Sequence, residues 1–191
     1  MNERHSPDIL EGQEGVLGTL LDHIRRQSET VTLLKGDPNS SEDEHFRIVL
    51  AQTEIERVKF IVRSYLRTRL FKIEKYSRHI IHEVELQTRL SQTELNHAKR
   101  YADLWEAHLR TALLDALPRA QRELDVKDNP FEPPMVTMPD HMRAVFVHAL
   151  DECPPVILPD GTTLQAQKGH IVLTPYAVVQ QLLTMGLVEL V

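Results

Sequence analysis

Cysteine is nearly missing from this chain: Cys153 is the single one in 191 residues. One thiol cannot build an internal disulfide framework or a cysteine-based zinc site, and the chain reads as intracellular. Cys153 lies in "DECPPV" with no nucleophile signature around it, so it reads as an ordinary small residue. Glycine is scarce too, with seven in all, and no glycine-rich phosphate loop occurs. No apolar run approaches the roughly 18 residues of a membrane span. The opening stretch "MNERHSPDILEGQEG" lacks the basic-then-apolar order of a secretory signal. A positive balance is absent as well. The net charge is −6 and the pI near 5.9, which argues against a general DNA binder and leaves only a local nucleic-acid contact. No Ser or Cys stands in an interpretable nucleophile setting, and there are no internal repeats. The default is a soluble nuclear or cytoplasmic protein.

What is present can bury a core. Apolar residues make up 41% and charged residues 26%, enough for one large domain or two small ones. "GVLGTLLDHIRRQ", from Gly15 to about Gln27, has helical spacing. "KGDPNSSEDEH" is a polar loop. A long helical pattern follows from about Glu42 to Val84 without Pro or Gly, which suggests a bundle or a partner-covered rod. Ser91 and Glu94 form a capping box, with Leu90 and Leu95 as its hydrophobic staple. The helix they start carries Ala98, Ala102 and Trp105 in one stripe and should stop at Pro118.

Beyond it, "DNPFEPPMVTMP" holds four of the eleven prolines and reads as a linker. Short strands are expected at "AVFVHAL", "PVIL" and "HIVL", with a turn at "PDGT" before "TLQAQ". Thr174 should cap a helix that has Pro175 at its first position and ends at Gly186; "LVELV" should close the chain as a strand. The expected fold is α+β: a mainly helical domain over 1–118, a linker over 119–139 and a small β-rich domain over 140–191.

The stretch "FIVRSYLRTRLFKIEKYSR" decides between functions. At about 100° per residue, Ile55, Val58, Val62, Leu66, Leu70, Ile73, Tyr76 and Ile80 form a normal core stripe. Lys59 and Arg69 fall inside that stripe, so they must pair with acids or snorkel to an edge. Phe60 and Phe71 project from the opposite side, a liability for a monomer. Between Arg57 and Arg78 there are eight basic residues and one acid, Glu74, so the remainder of the chain is strongly acidic and internal pairing is also available. Protein on more than one side of this helix is the economical reading; a monomer whose own fold covers both faces is the plainer one. A DNA-binding helix over 57–78 is a further alternative, although its basic residues do not collect on one face.

Metal chemistry is the remaining alternative. Glu42 with His45 and Glu94 with His97 are Glu-x-x-His units, as in di-iron bundles. However, Glu42 falls in a polar loop and Glu94 is needed for its capping box. "HIIHE", residues 79–83, would make at most a surface zinc site short of ligands.

"TEIERVKFIVRSYLRTRLFKIEKY" resembles the signature helix of the GINS complex subunits, the eukaryotic replication factor, and most of all the Sld-five type. The match runs through Glu56, Arg57, Phe60, Ser64, Tyr65, Leu66, Arg67, Arg69, Leu70, Lys72, Ile73, Glu74, Lys75 and Tyr76. "LSQTELNHAKRYADLWEAHL" and "QKGHIVLTPYAVVQQLLTMGLVELV" resemble the same subunit's next helix and C-terminal domain. The resemblance implies a non-catalytic, cofactor-free scaffold in the nucleus. Its partners would be three paralogous GINS subunits, the MCM helicase ring and a RecJ-like factor, with a replisome adaptor and polymerases as further candidates and DNA contact at most indirect or weak. The interface residues expected are Phe60, Arg63, Tyr65, Leu66, Arg67, Arg69, Leu70, Phe71, Lys72, Ile73, Lys75, Trp105, Val188 and Leu190. Relatives of this kind begin further upstream with an additional helix, and "SPDIL" (Ser6 to Leu10) is faintly similar to an adaptor-binding peptide.

Overall fold

The computed structural model describes residues 2–36, 41–119, 122, 136–158 and 161–191. It divides into two compact units, Gly12–Thr68 and Met1–Glu11 with Arg69–Val191. The expected linker lies largely outside the described residues, as do Pro159 and Asp160 of the expected turn. Gly161, at φ 83°, is the described part of that turn.

The unit Gly12–Thr68 is a helical hairpin. Helix α2 covers Glu14–Lys35, longer than its apolar period suggests, because nothing before Gly36 breaks it. Helix α3 covers Glu42–Lys75 and continues into the other unit. Its start is a second capping box: Ser41 N donates to Glu44 Oε2 at 2.8 Å and Glu44 N to Ser41 Oγ at 3.3 Å. Val31 of α2 packs on Ile48 and Ile55 of α3, with Ile24 and Ala51 at the margin.

The other unit opens with a short helix α1, Asn2–His5. The end of α3 does not run on to Val84. Tyr76 leaves helical geometry at φ −105°, ψ 15°, and α4 (Ser77–His82) and α5 (Val84–Thr88) follow. The break turns Tyr76 and Ile80 into a core with Ile9, Ile73, Leu86 and Ala98. The carbonyls of Ile80 and Ile81 are taken by the Gln87 amide at 3.0 and 2.9 Å, so the interruption leaves them hydrogen-bonded. Helix α6, Gln92–Ala112, starts on the capping box read from the sequence. It gives way to a 3-10 turn at Leu114–Ala116, short of Pro118.

The C-terminal part is a three-stranded antiparallel sheet, ordered β4 (Ile171–Pro175), β1 (Ala144–Ala149), β5 (Val188–Leu190), and a two-stranded ribbon of β2 (Val156–Ile157) and β3 (Thr163–Leu164). Helix α7, Tyr176–Thr184, begins one residue later than expected. Pro175 is its cap and still pairs with Ala144, while Thr174 belongs to β4. Gly186, at φ 73°, ends α7 in a Schellman arrangement: its N–H donates to Leu183 O and that of Leu187 to Leu182 O. Val145, Val147, Ala149, Tyr176, Val179, Leu182, Val188 and Leu190 form the core, which Cys153 joins.

Burial pushes the Tyr176 phenol above its ordinary range, with the neighbouring Ser6 hydroxyl opposing. The unfolded chain gives up this proton near pH 10, while the folded chain holds it to higher pH. The stability this phenol contributes is therefore fully present below about pH 10 and lost as pH rises through the folded value. Urea titrations at stepped alkaline pH should show this loss, and Tyr176→Phe should make it smaller.

Candidate protein interface

Ile48, Ile55 and Val62 recur every seven residues, two turns of helix, and all are buried. Arg69 takes the next place in that series and is 2% exposed. Its guanidinium is held by this chain. Nε donates to Glu94 Oε1 at 2.6 Å, Nη1 to Leu10 O at 2.6 Å, and Nη2 to Arg89 O at 2.7 Å and Glu94 Oε2 at 3.1 Å. Glu94 Oε2 also accepts from Ser91 N at 3.0 Å, closing the cap of α6.

Lys72, one turn on, is buried as well. Its ammonium donates to the carbonyls of Glu3 and Asp8 and pairs with Glu3 Oε1 at 3.0 Å. Burial raises the Glu3 carboxyl, opposed first by Lys72, and burial lowers the Lys72 ammonium, opposed first by Glu3. Both directions have one leading cause: each charge has lost water, and the contacts that replace it offset that loss only in part. Asp8 pairs with Arg89 at 2.7 Å.

The opposite face of α3 is different. In the unit Gly12–Thr68, Phe60 follows Val49 and Ile61 follows Leu50 by eleven residues, about three turns. With Phe46 they share a face and are all exposed; Phe60 is 67% exposed and Phe46 65%. Thr53 and Arg57 lie between them on that face, and Ser64 and Arg67 follow beyond Ile61. In the other unit Phe71 is 64% exposed.

The expected interface residues thus separate into three groups. Phe60, Arg63, Leu66, Arg67, Leu70, Phe71 and Lys75 are at the surface. Tyr65 and Trp105 are half-buried: the Tyr65 hydroxyl accepts from Gln13 N at 3.4 Å, and the Arg78 guanidinium stands 5.8 Å from the Trp105 ring. Arg69, Lys72, Ile73, Val188 and Leu190 are inside this chain, where its own atoms cover them. The acids that cover the two cations, Glu3 and Asp8, were not singled out from sequence, nor was Arg89. The available signal was the two basic side chains in want of anions and the apolar "IL" of "SPDIL" beside an acid. Ser6, Asp8 and Ile9 are buried, so this stretch is packed in the fold and not displayed as a free peptide.

The same facts bear on nucleic acid and metal. Arg69 and Lys72 face inward, while Arg57, Lys59 and Arg63 pair with Glu54 or Glu56. This spends basic residues that a phosphate-tracking face would need. Glu94 is engaged by Ser91 and Arg69, and His97 stands 3.2 Å from Glu74. Among the described residues no group of three or more His, Cys, Asp or Glu is placed to hold a metal ion. Among the same residues no helix is long and apolar enough to cross a membrane.

Two family models match: the GINS complex protein helical bundle domain over residues 24–113, and the DNA replication complex GINS protein SLD5 C-terminus over residues 139–191. The DNA replication complex GINS protein sld5 of Schizosaccharomyces pombe is 34% identical over 194 residues, covering 100% of this chain and 87% of the relative. The chain belongs to the Sld5 family of GINS complex proteins. Within that family the SLD5 protein of Chaetomium globosum is 32% identical over 99% of this chain and 85% of its own length. The SLD5 protein of Homo sapiens is 24% identical over 100% and 85%. The Sld5 family is one of replication-complex subunits, and the helical region followed by a small strand-containing region is the α+β architecture expected.

Proposed function

We propose that this chain is a non-catalytic subunit of a heterotetrameric GINS complex and that the outer face of α3 is buried against paralogous subunits. The observation that carries the reading is the exposed row Phe46, Val49, Leu50, Phe60 and Ile61. Burying each such side chain is worth about 1.5–3 kcal/mol, a gain that water-facing placement forgoes. The open side chains Arg67 and Lys75 would meet carboxylates of a partner, and Arg63, Leu66, Leu70 and Phe71 would extend the contact. Tyr65 would stiffen α3 within its own unit, and Trp105 would stiffen α6 within the other. Arg69, Lys72 and Ile73, buried in the other unit, would support from within the end of α3 that carries Phe71. Val188 and Leu190 do the same for the C-terminal sheet, whose outer face exposes Phe146, Ile171 and Leu173. We take 1–118 as the helical domain, 119–139 as a linker and 140–191 as the β-rich domain.

The wider role follows from the family resemblance: a nuclear scaffold that helps hold the replicative helicase together, the MCM ring plus a RecJ-like factor, in initiation and elongation of DNA replication. Co-expression with three paralogous GINS subunits tests the core of the reading. The expected result is a stoichiometric complex from all four and a self-associating, poorly soluble product from this chain alone. A monodisperse monomer that captures no paralogue would refute it.

A further inference from the structure

Residues 2–10 make contacts at both ends. At one end, the Asn2 side-chain carbonyl accepts from the Leu190 amide at 2.8 Å, on strand β5 of the C-terminal sheet. At the other, Ile9 fills the helical core against Ile73, Ile80 and Ala98. Between these ends Glu3 and the backbone of Asp8 hold Lys72, Asp8 Oδ2 holds Arg89, and the Leu10 carbonyl accepts from Arg69. Asp8 folds the segment onto itself, because its Oδ1 accepts from the Ile9 amide at 2.8 Å and its own amide donates to Ser6 Oγ at 3.1 Å.

We infer that residues 2–10 are a clasp that couples the C-terminal sheet to the helical core, with Asn2, Glu3 and Asp8 as its positioning residues. Glu3 has its counter-charge on Lys72 of α3 and Asp8 on Arg89, in the turn after α5, and losing the cation leaves a buried carboxylate unpaired. The nine residues are continuous and internally hydrogen-bonded, so loosening one end loosens the other. The ion pairs of α3 thereby set the order of β5, a strand to which Lys72 does not belong. This coupling stands whether or not the outer face of α3 meets a partner.

The test is amide hydrogen exchange on the full chain, read at Leu190 and Ile9 with amides of α6 as reference. Lys72→Gln is expected to speed exchange at Leu190 about tenfold, and Asn2→Ala to speed exchange at Ile9 about tenfold, while α6 is unchanged. Unaltered protection of Leu190 in the first variant, or of Ile9 in the second, overturns the inference. Should Lys72→Gln unfold the chain, Asn2→Ala decides by itself, since it removes one hydrogen bond and no buried charge.

Discussion

Replacing Arg69 with methionine is expected to lower the unfolding free energy of the chain by about 3–5 kcal/mol, the usual cost of removing one member of a buried ion pair. Methionine keeps most of the apolar stem, so the loss is of bonds and not of volume. Three acceptors are stranded together: the Glu94 carboxylate and the carbonyls of Leu10 and Arg89. Glu94 keeps its Ser91 contacts and is itself partly exposed, which favours the lower end of the range. Arg69→Lys should fall between, because an ammonium keeps the charge but cannot reproduce the planar fork. Urea denaturation followed by circular dichroism reads both variants; the midpoint should fall at unchanged slope. A midpoint equal to the parent's for Arg69→Met would mean that the network contributes nothing.

Phe60→Ser is expected to do the reverse. A ring exposed in the isolated chain contributes little to its fold, and its removal should change stability by no more than about 0.5 kcal/mol. In the assembly the same ring would be a central aromatic anchor, and truncating one costs about 2 kcal/mol or more, a loss of at least about 30-fold in affinity. The measurement is titration of variant and parent chains with co-purified paralogues, alongside their thermal melts. Equal affinity would remove the outer face of α3 from the interface. A lowered melt with equal affinity would assign Phe60 to the fold of this chain.

How much was legible beforehand follows from which signals are local. The Ser91–Glu94 box is local, and the structure contains both of its hydrogen bonds. The outward placement of Phe60 and Phe71 follows from the helical angle alone, as does the need of Arg69 for an anion. The break at Tyr76 had no such signal: no Pro or Gly marks it, and it is stabilised by Gln87, eleven residues on in the chain. Lys72 was expected at a protein interface, and its anion was missed because it lies 69 residues away, in the stretch before Leu10 that carries no pairing signal. Pairings over such distances depend on the packing of Ile9 into the helical core, which no spacing rule reports. The extent of α2 escaped for a simpler reason: its last two turns have a weak apolar period but no breaker.

One oxygen, Glu94 Oε2, accepts both from the first backbone amide of the α6 cap and from the Arg69 guanidinium. A glutamine there could still close the cap but could not balance the arginine, and an aspartate would fall short of one or both. Positions 69, 91 and 94 are therefore physically coupled, and homologous chains that vary at one of them are expected to vary at the others.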